Sequence, residues 1–167
     1  MATRPDAPSM DAHCTQSAGE TKGAQSMERA PELEAAVREF YAIFGNGSLT
    51  GHQSLLSREA HTLVIGNDPN EWWEGPERID RAMQAQIADA HAMGLQIVPG
   101  DLRAYREGNI GWVVDRPAYC LPDGTRLPMR ATAVARQEAG VWKLIQLHAS
   151  FGIPNEDTFG REFTIPE

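Results

Sequence analysis

The apolar residues change their period at Gly94, and this change limits the fold more than any other feature of the sequence. Before Gly94 they recur mainly at spacings of three and four residues, as on one face of a helix; after it they alternate, as on one face of a strand. The first part predicts helices over 31–44, 49–57 and 76–93, with one strand over 61–65. The second part predicts extended segments over 95–106, 110–121, 126–137 and 141–151, joined by short turns. This order predicts an α+β fold in which helices pack on one face of a curved antiparallel sheet.

The first 30 residues contain no Val, Ile, Leu, Phe, Trp or Tyr. A segment of this kind buries too little apolar surface to offset the entropy lost on ordering. We therefore predict a disordered tail over 1–30, one domain over 31–155 and a C-terminal extension over 156–167. Met27 precedes the first predicted helix, and a start of translation there is left open.

Charge and composition narrow the classes of partner. Fifteen basic and 23 acidic residues give a formal charge of −8, the wrong sign for binding phosphates, so we expect neither nucleic acid nor a membrane as partner. No apolar run reaches the roughly 18–20 residues that span a bilayer, and no signal peptide is evident, so we expect a cytoplasmic protein. Neither the two cysteines nor the five histidines show a metal-ligand spacing, and we expect neither a metal nor a cofactor.

Three stretches carry a resemblance to a known family. They are residues 65–76 (IGNDPNEWWEGP), 123–124 (DG) and 142–150 (WKLIQLHAS). Over about residues 31–155 the chain resembles the SnoaL-like branch of the nuclear transport factor 2-like superfamily, and its last strand is similar to that of the association domain of calcium/calmodulin-dependent kinase II. The resemblance implies a cone, with a strongly curved sheet around helices, open at one end and dimeric or larger. It implies no single reaction, because the superfamily contains isomerases, cyclases, dehydratases, hydrolases and binding modules.

Strand parity gives the candidate ligand-binding residues. Successive side chains point to opposite faces, and the odd-numbered residues of the last two segments are the smaller and more apolar set, so we assign them to the interior. Alanines at alternate positions either let a helix approach closely or leave empty volume, and in a curved sheet they favour a cavity. The resemblance places the loop with Trp72 and Trp73 at the mouth of the cone, where either could contact a ligand or plug the core. The predicted ligand-binding set is Trp72, Trp73, Val113, Met129, Ala131, Ala133, Leu147 and Ala149.

Asp115 and Tyr41 are the candidate catalytic residues. Aligning the segment 110–121 with the last strands of the family points Asp115 inward, where desolvation would raise its pKa and suit it to proton transfer. Tyr41, on the first helix, could then donate a hydrogen bond to a ligand carbonyl. The alternatives are that Asp115 pairs with Arg103, Arg116 or Arg130 at the rim, and that Tyr41 is a core residue.

The even-numbered residues of the same strands form the predicted outer face. Their mixture of aromatic, apolar and polar side chains is typical of an interface, and we predict a homodimer formed from sheet to sheet. We interpret His148 as an interface residue rather than a general base, since it shares this face. The predicted interface set is Trp112, Thr132, Val134, Trp142, Gln146 and His148.

Three functions remain open from the sequence. The first is binding of a small apolar or aromatic molecule, and the second is an isomerase, cyclase or dehydratase in which Asp115 transfers a proton next to a carbonyl. The third is an oligomeric assembly module. The arginines that kinase association domains can carry at the positions of Ala133 and Ala149 are absent, which weakens the third.

Overall fold

The computed structural model describes residues 27–163, which form a curved sheet with two long helices on its concave side. None of the helices in this part of the chain is long and apolar enough to cross a membrane. In chain order the elements are β1 (Glu28–Arg29), α1 (Pro31–Asn46), α2 (His52–Leu55), β2 (Leu63–Ile65), β3 (Trp72–Glu74), α3 (Pro76–Ala92), β4 (Gln96–Val98), β5 (Arg103–Glu107), β6 (Ile110–Asp115), β7 (Ala118–Cys120), β8 (Arg126–Glu138), β9 (Val141–Phe151) and α4 (Asn155–Phe159).

The helix α1 begins and ends where its sequence predicts. Pro31 lies in the first turn, where its missing N–H needs no partner. Gly47 ends the helix in the left-handed conformation, with φ 68°, and its N–H donates to the carbonyl of Ile43 at 3.0 Å. The apolar face that includes Leu33 and Val37 is buried against the sheet.

The main sheet runs in the order β1-β5-β6-β8-β9-β2-β3, and β4 joins it through β7, which pairs with β8. The pairs are antiparallel except that of β2 with β9, which is parallel. The α+β cone is therefore confirmed, although its sheet is mixed rather than wholly antiparallel.

Two predicted long strands are each divided at a proline. Pro99 separates β4 from β5, and Pro117 separates β6 from β7. Proline donates no ladder hydrogen bond, so each interruption lets the sheet turn a corner. The two corners touch: a Cβ on Gly100 would lie 2.0 Å from the carbonyl oxygen of Arg116.

The first described residues belong to the fold, which corrects part of the predicted tail. Glu28 and Arg29 form β1 and pair with β5, and Ala30 is fully buried. Residues 1–26 of the predicted tail and 164–167 of the predicted extension lie outside the described residues. The sequence reasoning missed β1 because two polar residues on a sheet edge carry no apolar pattern.

A β-bulge in β9 overturns half of the predicted parity. Val134 pairs with Gln146, but the next residue, Ala135, pairs with Leu144, so Ile145 has no partner. One extra residue reverses the facing of everything on its far side.

Because of the bulge, Trp142 lies in the core and not in the predicted interface. Trp142 is 6% exposed and Leu144 is 2% exposed, and both pack with Leu33 and the other apolar residues of the core. On β8 and β6 the odd-numbered residues face inward as predicted, among them Ala133 and Val113.

A polar cluster joins α3 to α2, and Leu56, the residue after α2, bridges to Leu144 of β9. His52 of α2 is completely buried, and its Nε2 lies 3.0 Å from Oδ1 of Asp80 on α3. Arg58 donates to both oxygens of Asp80, at 2.7 and 2.9 Å, and Gln53 donates to Oδ2 at 3.0 Å. These bonds hold the pKa of Asp80 below its usual value, chiefly through Arg58.

Candidate functional site

A small cavity lies between the two long helices, the first half of β8 and the second half of β9. Its volume is about 50 Å³, which exceeds the roughly 10–15 Å³ needed for one water molecule. We call it the chamber. Its walls are mainly apolar, and its lining residues are Phe40, Tyr41, Phe44, Val64, Ile65, Gly66, Asn67, Glu71, Trp73, Met83, Gln86, Ile97, Pro117, Tyr119, Met129, Ala131, Leu147 and Ala149.

The structure brings five of the predicted ligand-binding residues together in the wall of the chamber, and leaves three out. Those in the wall are Trp73, Met129, Ala131, Leu147 and Ala149. Ala131 and Ala149 pair across β8 and β9, so two minimal side chains face the helices at the same level. Val113 and Ala133 are buried in the core and do not line the chamber, which corrects their assignment.

The two tryptophans lie in a short strand rather than in the predicted loop. In β3 Trp73 pairs with Val64, and Trp72 pairs with Ile65. Strand alternation therefore sends the two indoles to opposite faces. Trp73 packs against the core, whereas Trp72 is 56% exposed and does not line the chamber.

Helix side chains supply the part of the wall that strand parity could not reveal. Phe40 and Phe44 of α1 lie one turn apart, with ring centroids separated by 5.9 Å, and Met83 of α3 faces the same space. Their helical spacing was visible in the sequence, but that spacing also suits an ordinary core. A void remains because the residues opposite them, Ala131 and Ala149, are small.

The polar groups of the chamber are concentrated at its mouth. Tyr119 donates to Oδ1 of Asn67 at 3.1 Å, and Gln86 donates from Nε2 to Oε1 of Glu71. The backbone N–H of Asp68 donates to Oε2 of Glu71 at 3.0 Å. These contacts tie the segment between β2 and β3 to α3 and β7, and give an apolar chamber a polar entrance.

An outer groove of about 250 Å³ continues from this mouth toward the surface. It shares Phe44 and the four polar residues of the mouth with the chamber, and adds residues from the end of α3. A molecule could therefore place one end in the chamber and the other in the groove.

Tyr41 and Asp115 are neighbours, as the catalytic hypothesis requires, but only Tyr41 lines the chamber. Burial, followed by the charge of Asp115, raises the pKa of the Tyr41 hydroxyl, so this hydroxyl stays protonated. Asp115 is 5% exposed and lies in the same cross-strand row as Ala131 and Ala149.

The buried carboxylate of Asp115 has one bound and one free oxygen. Its Oδ1 accepts from the backbone N–H of Gly100 at 3.1 Å and of Arg116 at 2.7 Å, while Oδ2 is buried without a hydrogen-bond partner. Within residues 27–163 no arginine side chain forms an ion pair with Asp115. Arg103 pairs with Asp101, and Arg130 donates to the carbonyl of Phe151.

The remaining predicted interface residues lie together on the convex face. Trp112, Val134 and Gln146 form one cross-strand row, and the next row contains Thr132 and His148. The indole of Trp112 stacks on Tyr105 with centroids 6.1 Å apart. His148 is exposed on this face, on the side of the sheet opposite the chamber.

No group of three or more His, Cys, Asp or Glu side chains in the described part of the chain is arranged to hold a metal ion. The polar residues of the mouth are held by one another and by backbone groups.

Solved structures with similar folds include proteins of several named classes. A nuclear transport factor 2-like protein of unknown function from Pseudomonas putida is 13% identical, with 82% of this chain and 95% of that chain covered and a TM-score of 0.64. A provisionally named dehydratase from Streptomyces avermitilis is 17% identical, with 74% and 96% covered and a TM-score of 0.60. A provisionally named ketosteroid isomerase from Shewanella frigidimarina is 19% identical, with 77% and 98% covered and a TM-score of 0.57.

These likenesses establish the nuclear transport factor 2-like fold. No curated protein matches the sequence. The model of the SnoaL-like domain matches residues 33–154, and the chain therefore belongs to the SnoaL-like family.

Proposed function

We propose that this protein binds a small apolar or aromatic molecule, whose apolar end occupies the chamber. The observation that carries the proposal is an apolar cavity whose polar lining groups, other than Tyr41, lie at one mouth. Binding pockets for organic ligands commonly combine an apolar wall with a few polar groups that fix orientation.

The size of the chamber restricts the ligand. A dry cavity of about 150 Å³ accommodates benzene in a protein interior, and the chamber is smaller, at about 50 Å³. A ligand with one ring or a short alkyl chain therefore extends through the mouth into the outer groove. A rigid multi-ring molecule requires the walls to move.

Titration calorimetry with benzyl alcohol, indole and n-hexanol tests this function. Ala131→Leu places a larger side chain in the chamber and should weaken binding at least about tenfold, as expected when a ligand loses its space. Thr132→Leu is the matched control, because Thr132 is the next residue and points to the convex face. Absence of binding to the wild type, or equal affinities for the two variants, contradicts the proposal.

A second candidate function is proton transfer next to a carbonyl, as in an isomerase, cyclase or dehydratase. Tyr41 favours it, because a protonated hydroxyl in the chamber wall can donate a hydrogen bond to a ligand carbonyl while Asp115 beside it exchanges the proton. The names of the Streptomyces and Shewanella proteins belong to the same classes.

Deuterium exchange at the methyl group of acetophenone, followed by NMR in D₂O, tests proton transfer directly. An enzyme accelerates this exchange, and both Tyr41→Phe and Asp115→Asn should slow it by about 100-fold or more. A wild-type rate equal to that of buffer contradicts catalysis on this class of ketone and leaves the binding function standing.

We also propose that the convex face pairs two copies of the chain. Trp112, Val134, Gln146, Thr132 and His148 give this face the mixed apolar and polar character of an interface. Light scattering should return twice the 18.4 kDa of one chain. A single-chain mass at micromolar concentration contradicts the dimer.

A further inference from the structure

The walls of the chamber and of the outer groove carry negative charge and no positive charge. Glu71 lines both spaces, and Asp89 lines the groove. Within the described residues, no Lys, Arg or His lines either space. The ligand therefore meets an unbalanced carboxylate as it enters.

Glu71 is fixed in this position by neutral groups. Its two carboxylate oxygens accept from the side chain of Gln86 and from the backbone N–H of Asp68. The carboxylate lies directly over Gly66, where a Cβ would come within 2.0 Å of Oε2. Neutral donors orient a carboxylate but leave its charge in place, and no ion pair of Glu71 occurs among residues 27–163.

The charge of Glu71 acts on the other groups at the mouth. Together with burial, which has the larger effect, it raises the pKa of the Tyr119 hydroxyl to about 12. Tyr119 therefore remains a neutral donor to Asn67, and its negative ring face adds to the electrostatic field that a cation would experience. Phe44 presents a second aromatic ring to both the chamber and the groove.

We propose that the preferred ligand is an organic cation, a primary amine with a short aromatic or alkyl tail. The end of the tail enters the chamber, the rest of the tail extends into the mouth, and the ammonium group lies there beside Glu71. This inference rests on the proposed binding function and adds the charge of the ligand to it. A carboxylate ligand would meet like charge at the same place, without a cation to neutralise it.

A different groove carries a positive charge, but its arginine does not line the chamber. Arg38 lines a surface groove of about 370 Å³ on another side of Tyr41, together with Gln96 and Pro99. Arg38 is not among the residues that line the chamber or its mouth. An acid that used Arg38 would therefore bind at the surface and outside the chamber.

Calorimetry with benzylamine, benzyl alcohol and benzoate at neutral pH tests the inference on the full-length wild-type protein. The three molecules share one ring and differ in charge. Benzylamine should bind at least about tenfold more tightly than benzyl alcohol, as expected for a hydrogen bond to a charged group, and benzoate more weakly than both. The advantage of benzylamine should shrink as salt is added, because the contact is ionic.

Glu71→Gln removes the charge and keeps the shape of the side chain. It should abolish the preference for benzylamine, so that this variant binds the amine no more tightly than benzyl alcohol. Glu74→Gln is the matched control, because Glu74 is an acid of the neighbouring strand that lies outside both cavities and pairs with His61.

The possible failures are distinguishable. Equal affinities of the wild type for the amine and the alcohol overturn the amine preference and leave binding in the chamber intact. Tighter binding of benzoate than of the amine also overturns the amine preference. Binding of none of the three overturns both proposals. Should Glu71→Gln fail to fold, the wild-type comparison of the three ligands still decides the question, and Glu71→Asp supplies a second, shorter carboxylate that should retain part of the preference.

Discussion

Strand β9 borders two different interiors on the two sides of its bulge. Before Ile145, Trp142 and Leu144 fill the space beneath the helices, and Trp142 lies close enough to Gly111 that a Cβ there would come within 3.1 Å of the indole. Beyond the bulge, Leu147 and Ala149 leave the chamber open. We call these regions the packed end and the chamber end of the concave face.

The difference arises from which side chains face the alanines of β8. At the packed end Ala135 is paired with Leu144, and Trp142 belongs to the same core cluster. Large side chains therefore surround a small one. At the chamber end Ala131 is paired with Ala149, so two small residues face each other. In this protein the cavity therefore lies where β8 and β9 both present a small residue. Where only β8 does so, the larger side chains of β9 fill the space.

The largest expected effect compares one leucine from each end. Leu144→Ala should lower the free energy of unfolding by about 2–5 kcal/mol, because it opens a void in a filled region. Leu147→Ala should lower it by less than about 2 kcal/mol, because Leu147 is only partly buried and already borders a cavity. Urea unfolding measures both.

The two leucines lie on the same strand and undergo the same change, so each controls for the other. Equal losses of stability in Leu144→Ala and Leu147→Ala would show that the two ends are packed alike, and would break the comparison.

The next largest change in stability is expected when one alanine at each end of the concave face is replaced by valine. Ala135→Val should destabilise by about 1–3 kcal/mol, because the added methyl groups enter a region without free space. Ala131→Val should change stability by less than about 1 kcal/mol, because its methyl groups enter the chamber. Thermal unfolding of the two variants, followed by circular dichroism, gives the result, and a larger loss for Ala131→Val would contradict an open chamber.

The smallest expected effect is a loss of stability in acid, and it comes from Asp80 in the polar cluster next to the packed end. Asp80 has a pKa below its usual value in the native state, so the native protein binds fewer protons there than the unfolded chain. The resulting stability is fully present above the unfolded pKa of about 4 and disappears as the pH falls through the lower native value. We expect a contribution of about 1 kcal/mol, since the partner Arg58 is half exposed.

Urea unfolding between about pH 5 and pH 2 measures this contribution. Asp80→Asn should flatten the acid dependence of the unfolding free energy in that range. Asp89→Asn, on the same helix but outside the polar cluster, should retain the wild-type dependence. If both variants behave alike, Asp80 does not hold α2 to α3 as described.

The periodicity of the apolar residues predicts the fold. It predicts the chamber residues only on strands in which the alternation is not broken by a bulge. Along β8 the alternation is regular, and Met129 and Ala131 were placed correctly. On β9 the sequence contains a signal for the bulge that simple parity ignores: Lys143 is polar at an odd position, whereas Gln146 and His148 are polar at even positions. A shift in the phase of the polar residues marks the point where the strand gains a residue.

Other parts of the site had no local signal. Glu71 and Tyr119 are 48 positions apart in the sequence, and only the tertiary fold brings them to one mouth. The inward position of Asp115 was predicted, but which of the two neighbours Asp115 and Tyr41 lines the chamber could not be read from spacing. Long-range packing decides such positions, and periodicity describes only the face on which a residue lies.

The parallel pairing of β2 with β9 also sets an order of events during synthesis. β2 leaves the ribosome early, yet its partner β9 is the last strand of the sheet to be made. The segment that carries Trp73 and Glu71 cannot dock until β9 exists, and such long-range pairing is slow to form. We therefore expect the chamber and its mouth to be completed only after β9 has been made.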